Sequence, residues 1–322
     1  MIYLLYGEET YLKENKLKKI KKEFGELIQG INFISIDETN TDNIISDIET
    51  PAFGFERKLI VVKNTNLFKK EKKTVKNPLI EKIGEYIEKY HEQINESIDL
   101  VFLEDEVEEN NLFKTIKKYG EVTEFKGLKL PELIKNIKNI CGLYKVTIDE
   151  QASKYLVECC GTDMQDLINE LRKLIEYVGE GNEITIKEIE LLSTKQIQAI
   201  IFDLTDNIGK KDIKKSLDVL RGLIISKEPP QKILVTLYNH FKKLFIVKIA
   251  EENNKDLAIS MKLKPNQLFL TTKYRQQAKF FNKGELQSII KELSELDRKY
   301  KIGLINLEIG LESILCKYCS NK

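Results

Sequence analysis

The sequence predicts an α/β N-terminal domain built on a parallel sheet, followed by two all-α domains. Three observations lead there. Over the first 126 residues, short apolar runs alternate with segments of helical periodicity. One run, Leu59-Ile60-Val61-Val62, is continuously apolar, as in a parallel strand covered on both faces. After Phe125-Lys126-Gly127 such runs become rare, and apolar residues recur at helical spacing towards the C-terminus.

The expected strands are Ile2–Tyr6, Ile31–Ile36, Leu59–Val62, Leu100–Leu103 and Val122–Phe125. Between the first two, Leu17, Ile20, Phe24, Leu27 and Ile28 mark a helix. Thr41 is placed to cap a second, carrying Ile44, Ile45 and Ile48. Further helices are expected over Leu79–Glu92 and Leu112–Tyr119. In the remainder, Pro131 sits near the start of a helix that Cys141-Gly142 stops. Thr147-Ile-Asp-Glu150 and Thr185-Ile-Lys-Glu188 have the capping-box form. Leu167–Val178 is helical between glycine turns, and from Gln196 onward Pro229-Pro230 and Pro265 separate further helices. The expected domains are residues 1–126, 127–194 and 195–322.

Composition removes several classes of function. Lys and Arg number 52 against 51 Asp and Glu, a net charge of +1, so the surface as a whole is no polyanion binder. Charged residues make up 32% of the chain and hydrophobic ones 42%, which suits well-solvated domains with substantial cores. No apolar stretch reaches membrane-spanning length, and no leader is evident, so a cytoplasmic protein is expected. The five cysteines have no framework spacing, which fits reduced thiols. Cys316-Lys-Tyr-Cys319 lacks the second pair that a zinc site needs. His91 and His240, the only histidines, are expected on helix surfaces and leave little for histidine-based chemistry.

The segment Gly7–Glu14, GEETYLKE, follows the first strand and precedes the first helix, where an ATPase keeps its phosphate loop. Against the pattern GxxxxGK[ST], Gly7 and Lys13 fit the first glycine and the lysine. Leu12 replaces the second glycine, and Glu14 replaces the hydroxyl that would hold magnesium. Glu8 and Glu9 put negative charge where an anion would enter, against the helix dipole. The loop reads as a nucleotide-site scaffold stripped of its chemistry, or as a plain strand-to-helix turn. No cofactor and no catalytic residue are expected. Leu-Val-Phe-Leu-Glu-Asp-Glu at 100–106 looks like a magnesium-positioning sequence, but by order it lies on the fourth strand and is read as a solvated strand end. The third strand ends Val62-Lys63-Asn64, without a carboxylate.

Several segments together resemble the bacterial DNA polymerase III delta-subunit family. They are YLLYGEETYLKE, ETPAFGFERKLIVVKN, DLVFLED, GTDMQDLINELRKLIEYVG, IFDLTDNIGKKD and LSELDRKYKIGLINLEIGLESIL, and the match runs in order over essentially the whole chain. The resemblance implies an AAA+-like module of P-loop NTPase type without ATPase activity, a helical lid and a helical collar that assembles the clamp loader. It implies a non-catalytic subunit of the DNA polymerase III holoenzyme, a nucleotidyltransferase complex, that binds the sliding clamp (beta subunit) and opens it for loading onto primed DNA. The implied partners are that clamp, the clamp-loader ATPase and delta-prime subunits, and DNA through the assembled complex, with no membrane. No Ser-Arg-Cys triplet, which carries an arginine finger in the related subunits, occurs in the sequence. The alternatives are a catalytically dead AAA-like adaptor outside replication and an active AAA+ ATPase.

One loop stands out in its own right. Thr50-Pro-Ala-Phe-Gly-Phe55 sets two phenylalanines around a glycine, where loops are ordinarily polar. By itself it favours the plainer reading, in which a phenylalanine closes the bottom of its own domain's core. The resemblance implies instead that Pro51, Ala52, Phe53 and Phe55 form the apolar element that enters the clamp. Lys69–Lys73 and Lys242-Lys243 are the lysine runs placed to touch a phosphate backbone, though such runs are more often solvated faces.

Overall fold

Five parallel strands form a sheet in the order β2-β3-β4-β1-β5, with helices on both faces. The computed structural model describes residues 1–69 and 77–320, which fall into two compact units, Met1–Gly127 and Leu128–Lys322. In the first unit the elements run β1 (Ile2–Tyr6), α1 (Thr10–Phe24), β2 (Phe33–Ile36), α2 (Ile44–Glu49), β3 (Lys58–Lys63), α3 (Pro78–Ser97), β4 (Ile98–Glu104), α4 (Asn111–Tyr119) and β5 (Glu121–Glu124). This is the α/β parallel-sheet module that the alternating pattern predicts.

Strand residues alternate between two apolar layers, as the period of two requires. Ile2, Leu4, Ile60, Val62, Leu100 and Phe102 share one layer with residues of α2, α3 and α4. Leu5, Leu59, Val61, Val101 and Leu103 share the other with Leu17 and Ile20 of α1. With both faces covered, the central strands have no polar side to show, which explains the continuous apolar run of β3.

Two expectations here are corrected. Helix α1 ends at Phe24, so Leu27 and Ile28 lie outside it. The Asn32 side chain accepts from the Ile28 N–H at 2.6 Å and donates to Glu26 O at 2.8 Å, folding that segment into a turn and delaying β2 to Phe33. Thr41 opens a short 3₁₀ turn and does not cap α2 with its side chain.

The second unit contains α5 (Leu130–Leu143), β6 (Thr147–Ile148), α6 (Glu150–Cys160), α7 (Met164–Val178), β7 (Glu183–Ile184), α8 (Ile186–Leu192), α9 (Ile197–Gly209), α10 (Ile213–Ile225), α11 (Pro230–Glu252), α12 (Leu257–Ser260), α13 (Leu270–Ala278), α14 (Lys283–Lys301) and α15 (Leu307–Ser320). It is helical apart from the short parallel pair β6–β7. That pairing takes Thr147 into a strand, so the cap of α6 is Asp149, whose carboxylate accepts from the Ala152 N–H. The capping box at Thr185–Glu188 forms as expected. Among the described residues no helix is long and apolar enough to cross a membrane. Cys319 is buried against the Ser216 hydroxyl, and Cys316 is a half-buried free thiol.

Helix α11 packs against α9, α13, α14 and α15, so it buries side chains on several faces. One of them is His240, expected at the surface but 1% exposed. It is edge-on to the Phe202 ring, accepts at Nδ1 from the Gln198 amide at 3.3 Å and donates from Nε2 to Gln277 Oε1 at 2.7 Å. Gln277 in turn donates to Phe202 O and Asp206 Oδ1, so this polar island is connected through the apolar core. Satisfied hydrogen bonds are what make such burial tolerable.

Burial holds the His240 imidazole neutral, with its pKa pushed down to about 3 from 6.5, and Lys243 adds to the effect. Between those values the unfolded chain binds a proton that the native chain refuses. The His240 contribution therefore falls as pH drops through that window, by up to about 1.4 kcal/mol per pH unit. Urea unfolding checks this: the stability difference between the wild type and His240→Gln is expected to shrink as pH falls from about 7 to about 4.5. A difference independent of pH would exclude the effect.

Candidate partner-binding loop and the altered phosphate loop

The phosphate-loop segment crosses from β1 to α1 at the C-terminal edge of the sheet, with Leu12, Lys13 and Glu14 in the first turns of the helix. Gly7 has φ +121°, and a Cβ there would lie 2.3 Å from Phe125 O, so only glycine fits. The Lys13 side chain, 2% exposed, does not face the space beyond the loop. Its ammonium donates to Gly7 O at 3.0 Å, Glu104 O at 2.9 Å and Asp105 Oδ1 at 2.6 Å. An ammonium has three donors, and all three are engaged. Lysine here ties the ends of β1 and β4 together.

Glu14, in the slot of the magnesium-holding hydroxyl, pairs with Lys63 at 3.1 Å. Lys63 ends β3, where an ATPase of this topology would offer a carboxylate. An acid thus stands where a magnesium site has a neutral hydroxyl, and a cation where it has a carboxylate; the two side chains neutralise each other. The strand end at Glu104 is also not the solvated group expected. Glu104 is 3% exposed, and its Oε1 accepts from the Thr65 N–H at 2.9 Å and hydroxyl at 2.8 Å. Burial raises its pKa, and those two hydrogen bonds oppose the rise. Asp105 stays largely exposed beside Lys13. Next to this edge a cleft of about 420 Å³ is lined by Glu38, Asn64, Asn66, Lys69, Glu104, Asp105 and Glu106, a predominantly acidic wall that disfavours an anion.

The second expected site is built differently. Helix α2 stops at Glu49 because Thr50 turns extended ahead of Pro51. The Phe55 N–H donates to Ala52 O at 3.0 Å, closing a turn whose third residue, Gly54, has φ +83°. This turn holds Phe53 out at its tip: its side chain is 83% exposed, the highest exposure among the large hydrophobics of the described residues. Pro51 is exposed, while Ala52 and Phe55 are half-buried. Pro51 thus leads into the turn, while Ala52, Phe53 and Phe55 lie within it and differ in exposure. Phe53 projects, and Phe55 rests partly against its own unit.

Both ends of the loop are anchored by side chains that sequence reasoning passed over. Lys58, 2% exposed at the start of β3, donates to Asp47 O at 2.7 Å and to Thr50 O. Arg57 donates from Nη2 to both carboxylate oxygens of Asp99 on β4, at 2.7 and 2.8 Å. The available signal is the cation pair Arg57-Lys58 placed directly before the apolar run Leu59–Val62. The lysine run beginning at Lys69 lies, from residue 70 to 73, outside the described residues. Lys243 is half-buried, with its pKa lowered by desolvation and its ammonium over the Tyr274 ring.

A family model described as DNA polymerase III, delta subunit, matches residues 3–126, and one described as DNA polymerase III delta subunit, C-terminal domain, matches residues 198–318. The chain belongs to the DNA polymerase III delta-subunit family. The DNA polymerase III subunit delta of Bacillus subtilis (strain 168) is 28% identical, over 98% of this chain and 91% of its own length. A probable DNA polymerase III subunit delta of Aquifex aeolicus (strain VF5) is 26% identical, over 94% and 86%. The solved Bacillus subtilis DNA clamp loader delta protein matches with a TM-score of 0.70 at 26% identity, covering 99% of this chain and 95% of its own. The similarity to these delta proteins runs over nearly the whole chain, and the solved Bacillus subtilis protein shares its fold.

Proposed function

We propose that this delta-family chain is the non-catalytic subunit of a clamp loader, and that it binds and opens the sliding clamp through the Phe53 turn. The observation that carries the reading is a phenylalanine held 83% exposed at the tip of a loop anchored at both ends. Large exposed apolar side chains on ordered turns suit insertion into a partner's groove. The full engagement of Lys13 and the Glu14–Lys63 pair support a subunit that works without bound nucleotide. Its partners in this reading are the clamp, the ATPase and delta-prime subunits, and primed DNA through the complex, in the cytoplasm. Residues 1–126 would serve as the clamp-binding module, 127–194 as a lid and 195–322 as an assembly collar.

Pull-down with the cognate clamp tests it: stoichiometric capture is expected with and without ATP. Capture that requires ATP, or turnover of ATP by the purified chain, would sink the reading.

The collar has an apolar end that suits assembly. Arg221 pairs with Glu312, and Lys211 donates to Tyr318 O, so α10 and α15 run antiparallel. That brings Ile225 (80% exposed) and Ile309 (65%) to the same end, with Ile302 and Leu304 in the adjoining connection. Leu304→Glu is expected to abolish co-elution with the ATPase and delta-prime subunits while leaving clamp capture unchanged. Normal co-elution would assign assembly to another face.

A further inference from the structure

We propose that Lys58 is the positioning residue of the Phe53 turn, acting by fastening the C-terminal end of α2 to the start of β3. This rests on the clamp-binding reading and adds to it a residue that does not touch the partner.

A lysine 2% exposed at the edge of an apolar layer requires a reason, since an ammonium loses its hydration there. Desolvation lowers its pKa, and the nearby Asp47 charge works the other way. The geometry supplies the reason. The ammonium reaches the last turn of α2, where carbonyls have no helical partner, and takes Asp47 O and Thr50 O. A cation at a helix C-terminus is also favoured by the helix dipole. The Thr50 hydroxyl adds a bond to Ser46 O at 2.7 Å, and the Thr50 N–H bonds the same carbonyl at 3.0 Å.

The consequence for the loop is geometric. Thr50 is the residue before Pro51, and Lys58 is the residue after Arg57, so one side chain closes the chain segment 51–57 into a ring. Arg57 fixes the closing side to β4 through Asp99, and its guanidinium lies 5.8 Å from the Phe24 ring of α1. The turn at Ala52–Phe55 then has two fixed ends and only short arms, so Phe53 keeps its direction before a partner arrives. Holding a loop in its bound conformation removes ordering cost from the binding step.

The test is a double-mutant cycle on clamp affinity. Lys58→Met keeps length and burial but removes both bonds, and it is expected to weaken clamp binding about tenfold. On a Phe53→Ala background it is expected to change affinity less than about twofold, because the turn no longer presents a ring to be positioned. Amide exchange should quicken at Thr50 and Phe55 and stay unchanged at Leu59–Val62, a pattern that a general loss of stability would not give. Equal effects of Lys58→Met on both backgrounds, or undiminished affinity in Lys58→Met alone, would overturn the positioning role while leaving the Phe53 site standing. Undiminished affinity in Phe53→Ala removes the site and the positioning role together. Should Lys58→Met not fold, exchange in the wild type decides: a Phe55 amide exchanging at the rate of an unstructured peptide overturns the proposal, and a protected one supports it.

Discussion

Replacing Phe53 by alanine is expected to lower clamp affinity by about 30-fold or more and to leave the melting temperature where it was. The affinity term follows from the behaviour of aromatic anchors at interface centres, where truncation costs about 2–4 kcal/mol, each 1.4 kcal/mol being tenfold. The stability term follows from the 83% exposure of the ring, which gives it little to lose within its own fold. Phe55 makes the contrast. Half-buried beside the turn, it should affect both quantities when truncated, and its affinity loss should be the smaller. Surface plasmon resonance against immobilised clamp, with thermal melts of the same samples, separates the two. Wild-type affinity in Phe53→Ala would move the site to another part of the chain.

The second large effect concerns Lys13. In an ATPase the corresponding lysine faces phosphate, and its loss spares the fold. Here Lys13→Met is expected to destabilise the protein by about 2–4 kcal/mol, because Gly7 O and Glu104 O lose a buried donor and each pays part of its desolvation cost. Asp105 adds little, since its carboxylate is 68% exposed and water replaces the lost partner. Chemical denaturation should show an earlier midpoint with an unchanged slope. Wild-type stability in this variant, together with measurable triphosphate affinity in the native chain, would return Lys13 to a ligand-facing role.

The two units were not equally legible in the sequence. The central strands could be placed because strands covered on both faces must be apolar throughout, and Leu59–Val62 satisfies that within a few residues. Local cap signals were less secure. Thr185 capped as its spacing suggested, but Thr147 was taken by pairing with Glu183, a residue far along the chain. His240 was misplaced because α11 is surrounded, and a helix packed on several sides gives no stripe from which to read a surface. In the candidate site, Phe53 was visible as an oddity of composition in a loop. The ties that hold it were not: Lys58 to Thr50 O depends on how α2 leads into β3, and Arg57 to Asp99 on β4 being the neighbour of β3. The same holds for Lys13, which fits the phosphate-loop pattern but whose acceptors include Glu104, at the end of a strand distant in sequence, and Asp105 just beyond it.

The Glu14–Lys63 pair also bears on any design of a magnesium site at this sheet edge. Such a design would need to change both positions and also release Lys13 from the strand ends it now splices. Releasing Lys13 is the costly change, because Glu14 and Lys63 are each over a third exposed and water can replace either partner. The residue in the phosphate-lysine position is a rivet of this fold, with no donor left over for a ligand.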